Sequence, residues 1–198
     1  HQLRGTEPLK LIKIFAALCA AVVLLVGCGS QPTTTDPSAG SSGDLLDRYG
    51  LTGMSAEQVI DQLDRSTQSR PTQLGGSVRP DQLLLTDGSQ EAILPLPDDK
   101  FYLAIAPFLD RTHECHFHSL GTCQGELVGE AVHVTITTVG GEALVDEEAV
   151  TWTNGFVGYW VPKGSAGTIT VDQGGKQGSV SFTTGEQDAT CVTTLQLV

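Results

Sequence analysis

The residues with the strongest chemical character lie in one short segment, residues 113–126, which reads HECHFHSLGTCQGE. This segment holds three of the chain's five histidines and two of its five cysteines. Thiolate sulfur is a soft ligand that selects Cu(I) or Zn(II), whereas imidazole suits Cu(II), Zn(II) and Ni(II). The residue types therefore indicate a sulfur-rich site for a transition metal.

Three cysteines can reach a common site. Gly121 permits a tight chain reversal between Cys115 and Cys123, which would bring these two side by side. Cys191 lies at the start of the last predicted strand, and a β-sandwich commonly places such a strand next to a central loop. We therefore expect the sulfur atoms of Cys115, Cys123 and Cys191 to converge.

The histidines of the segment are not equivalent. His116 and His118 are two residues apart, so in an extended segment both imidazoles would point to the same side. We expect His116 and His118 to be metal ligands together with the three cysteines. His113 is left open between three roles: a ligand, a neighbour of a ligand, or an exposed side chain.

Several other kinds of site fit the segment poorly. A closed structural zinc site usually shows paired C-x-x-C motifs, and a calcium loop is rich in acidic residues; neither pattern is found here. A cysteine hydrolase would need an oriented base near its nucleophile, and the sequence shows no such context. The simplest alternative is a disulfide that staples the fold, Cys123–Cys191 or Cys115–Cys191, which would leave one cysteine unexplained.

The N-terminal residues predict export and lipid attachment. Basic residues precede an apolar run at residues 14–26, which is shorter than the roughly 20 residues of a membrane-spanning helix. The following LVGC resembles a bacterial lipobox, so residues 1–27 are predicted to be a signal peptide and Cys28 to carry lipid. Residues 28–43, rich in Ser, Thr, Pro and Gly, are predicted to be a flexible tether. The alternative is a plain N-terminal membrane anchor.

Export from the cytoplasm determines how the cysteine count should be interpreted. An oxidising compartment outside the cytoplasm favours disulfides. Cys19 would leave with the signal peptide and Cys28 would be lipidated, so three cysteines remain for the folded part. At most two of them can pair within one chain, and the third is open to oxidation unless it has a use.

Overall charge restricts the class of partner. The chain has 11 basic and 23 acidic residues, a formal net charge of −12. A surface of this sign repels phosphate groups, so nucleic acid is excluded as a partner. The acidic residues are mostly scattered, which is typical of a solvated surface.

The rest of the chain divides into two predicted parts, residues 44–98 and 99–198. The first contains one helix with a capping box that begins at Ser55, then a break at residues 75–80 and two short strands about a turn at residues 87–88. The second shows short strands and Gly-rich turns, typical of an antiparallel sandwich or barrel. The predicted fold class is α+β: a mainly antiparallel, sandwich- or barrel-like C-terminal domain with a small helical N-terminal subdomain.

Four segments, in this order along the chain, resemble the CueP family of periplasmic copper-binding proteins. They are DKFYLAIAP at 99–107, HECHFHSLGTCQGEL at 113–127, NGFVGYWVP at 154–162 and TCVTTLQL at 190–197. The cysteine–histidine segment is the most specific of the four. The resemblance covers the predicted β-rich domain, and the N-terminal subdomain matches less distinctly.

The resemblance implies copper binding outside the cytoplasm, linked to copper tolerance and trafficking, with a cupric reductase activity. It implies that Cys115, Cys123 and Cys191 are the functional cysteines and that His116 and His118 are the histidines of the family's C-x-H pattern. Enteric members are described as passing copper to a superoxide dismutase, but the predicted lipid anchor departs from that pattern, so the receiving protein is left unnamed. The expected partners are copper ions, the extracytoplasmic face of the cell membrane through the lipid, a copper-receiving protein and a second copy of the chain.

Three hypotheses describe the chemistry. In the first, a thiol-dependent cupric reductase, Cu(II) takes an electron from thiolate, the Cu(I) is held by sulfur, and two thiols end as a disulfide. Turnover then needs an external thiol. In the second, a buffer or chaperone binds copper without turnover. In the third, a zinc-binding or disulfide-stapled surface lipoprotein has no redox chemistry, since zinc suits the same ligands.

Overall fold

The structure, a computed structural model, describes residues 37–198. The predicted signal peptide, Cys28 and residues 28–36 of the predicted tether lie outside the described residues. No helix in the described part of the chain is long and apolar enough to cross a membrane. The elements are, in order, α1 (Pro37–Arg48), α2 (Ala56–Asp64), β1 (Gly75–Val78), β2 (Gln82–Thr86), β3 (Glu91–Pro95), β4 (Lys100–Ile105), β5 (His118–Ser119), β6 (Ala131–Thr138), β7 (Ala143–Val150), β8 (Val157–Pro162), β9 (Ala166–Gln173), β10 (Lys176–Thr183) and β11 (Cys191–Val192).

Helix α2 carries the capping box that the sequence predicts. The Ser55 hydroxyl accepts a hydrogen bond from the Gln58 amide at 3.3 Å, and the Gln58 side chain accepts one from the Ser55 amide at 2.8 Å. These bonds satisfy N–H groups that the start of a helix leaves free. Val59 and Ile60 are fully buried, and the helix ends at Asp64, which is fully buried as well.

Helix α1 extends from the predicted tether into the predicted subdomain. It begins at Pro37, so it overlaps residues 37–43 of the predicted tether. The helix packs against β3, and Leu45 near its end is fully buried. Burial of such an apolar side chain favours the ordered chain over its unfolded form.

The first sheet has the strand order β3-β2-β1-β5 and is antiparallel throughout. The hairpin of β2 and β3 is confirmed, and Gly88 in its turn has a φ of +87°. The predicted break at residues 75–80 is wrong for its first four residues, which form β1. Glycine fits this strand position because a Cβ on Gly76 would lie 2.9 Å from Leu120 Cδ1 and would force that side chain to move.

Two further sheets build the C-terminal part. One has the order β10-β9-β6-β7 with antiparallel neighbours, and the other, β11-β4-β8, pairs β4 antiparallel to β8 and parallel to β11. Val132, Val134 and Ile136 of β6 are buried in alternation, as a period of two predicts. The mainly antiparallel α+β fold class is therefore confirmed.

Within residues 37–198, buried apolar side chains form two cores, and the first of them spans both predicted parts of the chain. It joins Leu45 and Val59 of the helices to Phe156, which precedes β8. Cys123 and Cys191 are buried in this same core. The cysteine–histidine segment thus lies where the helical part meets the sheets, and it contributes β5 to the edge of the first sheet.

Candidate metal centre

Three sulfur atoms and one imidazole lie together in the first core. Cys115 and Cys191 are joined by a disulfide, and the free thiol of Cys123 lies 3.5 Å from Cys115 Sγ. With His113, these residues each offer one ligand atom, and all four atoms lie within 4.8 Å of one another. We call these four residues the sulfur cluster. The predicted convergence of the three cysteines is confirmed.

A tight turn brings Cys123 beside Cys115. The Cys123 amide donates to the Ser119 carbonyl oxygen at 3.1 Å, and the Ser119 amide donates to Cys123 Sγ at 3.3 Å. A Cβ on Gly121 would lie 2.9 Å from the Thr72 hydroxyl. The predicted reversal at Gly121 is confirmed, and close packing rather than a positive φ requires its glycine.

Strand β11 brings Cys191 to the segment. It pairs in parallel with β4, where Cys191 lies opposite Ala104. The amides of Thr190 and Cys191 both donate to the His116 carbonyl oxygen, at 2.9 and 3.2 Å. The Cα atoms of Cys115 and Cys191 are 5.7 Å apart, a usual separation for a disulfide. The last predicted strand therefore reaches the segment as expected, although it has only two residues.

His113 is the imidazole that belongs to the sulfur cluster. Its ring meets Phe156 edge-on, with centroids 6.3 Å apart, and its Nε2 is buried without a hydrogen-bond partner. A buried polar atom of this kind costs free energy unless a ligand satisfies it. Burial, and then the charge of His118, lower the pKa of His113, so its imidazole is neutral and able to bind a metal. The structure thus places in the cluster a residue whose role the sequence leaves open.

Glu126 fixes the loop that leads to His113. Its Oε2 accepts hydrogen bonds from three successive backbone amides at 2.7, 2.9 and 3.2 Å, those of Leu109, Asp110 and Arg111. The amides of Asp110 and Leu109 lower the pKa of Glu126, which favours the charged carboxylate. Glu126 is not among the residues predicted from the sequence, because one acidic residue in a loop forms no pattern.

The two histidines predicted as ligands have different surroundings. His116 is exposed, and its Nε2 lies 3.1 Å from the Gln187 carbonyl oxygen. His118 is fully buried, and its Nδ1 lies 3.7 Å from Cys191 Sγ. The predicted same-side arrangement is wrong, because strand β5 begins only at His118 and the chain bends just before it. The structure therefore brings His118 to the edge of the sulfur cluster and does not bring His116 there.

A buried carboxylate holds the far side of the His118 ring. Asp64 Oδ1 lies 2.8 Å from His118 Nε2 and accepts from Asn154 Nδ2 at 2.6 Å, while Oδ2 accepts from the Tyr102 hydroxyl at 2.6 Å. Burial by itself would raise the pKa of Asp64, but the charge and hydrogen bond of His118, with those two other donors, lower it. Burial by itself would lower the pKa of His118, but Asp64, followed by Cys123, raises it to about 9. Asp64 and His118 are therefore an ion pair at neutral pH.

Asp64 is a second residue that is not predicted from the sequence, although the sequence holds a signal for it. It follows Ile60 by four residues and so lies on the same face of α2. A carboxylate on the apolar face of a helix needs a buried partner, and this conflict could have singled it out. The partner, 54 residues later in the chain, has no such signal.

A surface cleft of about 430 Å³ leads to the sulfur cluster. His113, Cys115 and Cys123 line it, whereas Cys191 and His118 do not. A metal ion or a small thiol can therefore reach the sulfur atoms of Cys115 and Cys123 from solvent. The side chains of Cys191 and His118 are buried and are not part of the cleft wall.

The geometry permits two kinds of chemistry. Once the Cys115–Cys191 disulfide is reduced, three thiolates and an imidazole form a donor set suited to Cu(I), and also to Zn(II). The Cys123 thiolate can also attack Cys115 Sγ, 3.5 Å away. This exchange would form a Cys115–Cys123 bond and release Cys191 as a thiolate. It consumes no oxidant, since one disulfide replaces another.

Known proteins similar to this chain point to copper. The family described as "Periplasmic copper-binding protein CueP" matches residues 58–196. The solved structure described as "Crystal Structure of S.CueP" is 40% identical to this chain, covers 80% of this chain and 98% of that one, and superposes with a TM-score of 0.77. No curated protein matches the chain. The matched residues include the whole sulfur cluster and Asp64.

The Asp64–His118 pair should make the stability of the copper-free, disulfide-bonded protein depend on pH. Because the pKa of His118 is raised, its stabilising effect is complete below pH 6.5 and is lost as the pH rises through about 9. Because the pKa of Asp64 is lowered, its effect is present above pH 3.8 and is lost as the pH falls below that value. We expect the free energy of unfolding in urea to fall by about 2 kcal/mol across the upper range.

The variant His118→Gln isolates this effect, since it removes the titrating ring and leaves every other ionisable group in place. Its free energy of unfolding should change less than that of the wild type over the same pH range. Parallel pH profiles for the two proteins would show that the pair does not control the stability.

Proposed function

The chain belongs to the CueP family of periplasmic copper-binding proteins, and on this premise we propose that it binds copper at the sulfur cluster and reduces Cu(II) to Cu(I) there. Copper is the substrate of this reaction rather than a resident cofactor. The observation that carries the proposal is the approach of three sulfur atoms and one His113 ring nitrogen to within 4.8 Å of one another. The buried Nε2 of the same ring has no hydrogen-bond partner, which supports the proposal. The cleft at the open side of the cluster gives copper a route in.

In the proposed reaction the cysteines supply the electrons. Two thiolates give one electron each to two Cu(II) ions, which become Cu(I), and the two sulfur atoms form one disulfide. The Cys115–Cys191 bond is what this oxidation would leave, which supports the proposal. Cys123, with the imidazoles of His113 and His118, is then left to hold Cu(I). An external thiol must reduce the disulfide before the next turnover.

The same disulfide favours a second candidate function. In a structural lipoprotein, the Cys115–Cys191 bond would only staple β11 to the cysteine–histidine segment. This function makes no use of the Cys123 thiol or of the buried, unpartnered nitrogen of His113, so it explains less of the site. Zinc bound by the same donors without redox chemistry is the remaining alternative.

We also propose that lipid on Cys28 anchors the protein at the extracytoplasmic face of the cell membrane. The lipobox-like LVGC and the polar segment after it support this placement. An anchored protein could pass Cu(I) through the cleft to a copper-receiving protein, or to a second copy of the chain. Labelling of cells with a tagged fatty acid should mark the wild type but not Cys28→Ser. Equal labelling of both would contradict the anchor.

Copper reduction is tested on the fully reduced protein without oxygen. Cu(II) is added in the presence of a chromophore specific for Cu(I). We expect about two Cu(I) per chain without added thiol, because the oxidation of two thiols to one disulfide releases two electrons. Cys115→Ser should lose most of this yield, since Cys115 neighbours both other sulfur atoms. Cys123→Ser should keep the reducing pair Cys115 and Cys191 but hold Cu(I) less tightly.

A matched control is His133→Ala, which removes a partly exposed histidine of β6 that lies outside the segment. Its Cu(I) yield should equal that of the wild type. With external thiol, continued formation of Cu(I) faster than the thiol alone produces it would identify an enzyme. A rate equal to that of the thiol alone, after the first disulfide has formed, would identify a buffer. Equal yields from the wild type and all cysteine variants would show that the cysteines are structural.

A further inference from the structure

We propose that Asp64 is a positioning residue of the copper site and acts through the His118 ring. This inference rests on the proposed function of the sulfur cluster, and it assigns a role to a side chain that does not touch the cluster itself. Asp64 is fully buried, lies at the end of α2, and forms its hydrogen bonds inside the protein.

The His118 ring is held from several sides, and Asp64 decides which nitrogen faces sulfur. Nε2 is engaged by Asp64 Oδ1 at 2.8 Å, so Nδ1 is the only ring nitrogen left for the cluster, and it lies 3.7 Å from Cys191 Sγ. Phe156 packs against the ring with centroids 4.6 Å apart. A rotated or reversed ring would lose the bond to a buried carboxylate, which is costly.

Asp64 is itself held in place by two elements other than β5. Asn154 donates to Oδ1 from the loop before β8, and Tyr102 donates to Oδ2 from β4. The carboxylate therefore cannot follow the ring if the ring moves. The direction in which Nδ1 faces the sulfur cluster is set by the fold rather than by a flexible side chain, and a copper ion that binds there displaces the Nδ1 proton of the charged ring.

A purely structural role explains this arrangement poorly. A buried ion pair is a weak source of stability, because the cost of removing both charges from water often exceeds their attraction. A carboxylate behind a metal-binding histidine instead fixes the ring orientation and raises the basicity of the imidazole. Helix α2, from the predicted N-terminal subdomain, thereby becomes a part of the copper site.

A double-mutant cycle of Asp64→Asn and His118→Gln tests the proposal. Cu(I) affinity is measured on the reduced full chain by competition with a Cu(I) chromophore, and stability is measured by urea unfolding. Asparagine keeps the size and one acceptor oxygen of Asp64 but removes the charge. We expect Asp64→Asn to weaken Cu(I) binding roughly tenfold or more in the wild type, and less than about twofold in the His118→Gln background.

Thr184→Val is the matched control, because it removes buried hydrogen bonds to Pro162 and Ser165 that lie outside the copper site. It should lower the urea midpoint while changing the Cu(I) affinity less than about twofold. An equal loss of affinity on Asp64→Asn in both backgrounds would mean that Asp64 acts through general stability, and would overturn the inference. Unchanged affinity in Asp64→Asn would overturn it too.

The same measurements distinguish failure of the proposed function from failure of this inference. If the wild type itself binds no Cu(I), the proposed function is wrong. A wild type that binds Cu(I) without coupling in the cycle would leave the proposed function intact and remove only the role of Asp64. Correlation of ¹⁵N and ¹H signals in the copper-free protein gives an independent readout. We expect the proton that is hydrogen-bonded to Asp64 to lie on Nε2 of His118. If that proton instead lies on Nδ1, the inference is overturned.

Discussion

A carboxylate with no exposure to water is the constraint on which the site depends. Removing a charge from water costs several kcal/mol unless hydrogen bonds and an opposite charge replace the lost hydration. Asp64 obtains these from His118 of β5, Tyr102 of β4 and Asn154 before β8. Satisfying one side chain therefore brings together the end of α2, the first sheet and the third sheet. The sulfur cluster lies on the other side of the His118 ring.

The burial of the sulfur atoms explains which states of the cluster are favourable. Cys123 and Cys191 belong to the first apolar core, where an isolated thiolate would be costly. A disulfide, a neutral thiol, or thiolates neutralised by a bound metal ion all avoid that cost. The positive charge of His118 and the neutral imidazole of His113 complement one another here. The charge of His118 balances a thiolate, and the His113 ring offers a free lone pair. A buried cluster of this kind favours Cu(I), whose single charge needs little water around it.

The sequence predicts most of what depends on neighbouring residues and little of what depends on distant ones. The capping box at Ser55 is a local pattern and is confirmed, and the alternating burial along β6 is likewise a local consequence of its sequence. The break predicted at residues 75–80 is wrong at Gly76 because the side chain that packs over it, Leu120, comes from a much later segment. The predicted same-side arrangement of His116 and His118 is wrong for a similar reason, since partners elsewhere in the chain, not the spacing, decide where each ring points. The resemblance to the CueP family indicated the metal and the cysteines, but not the role of His113 or the carboxylate behind His118.

X-ray absorption at the copper edge tests the central claim most directly. The reduced protein would be loaded anaerobically with one equivalent of Cu(I), and the atoms bound to copper would be identified from the fine structure of the spectrum. We predict sulfur ligands together with a nitrogen contribution that falls in His113→Ala and persists in His116→Ala. Copper surrounded only by nitrogen and oxygen, with the same spectrum in Cys115→Ser, would contradict a copper site at the sulfur cluster.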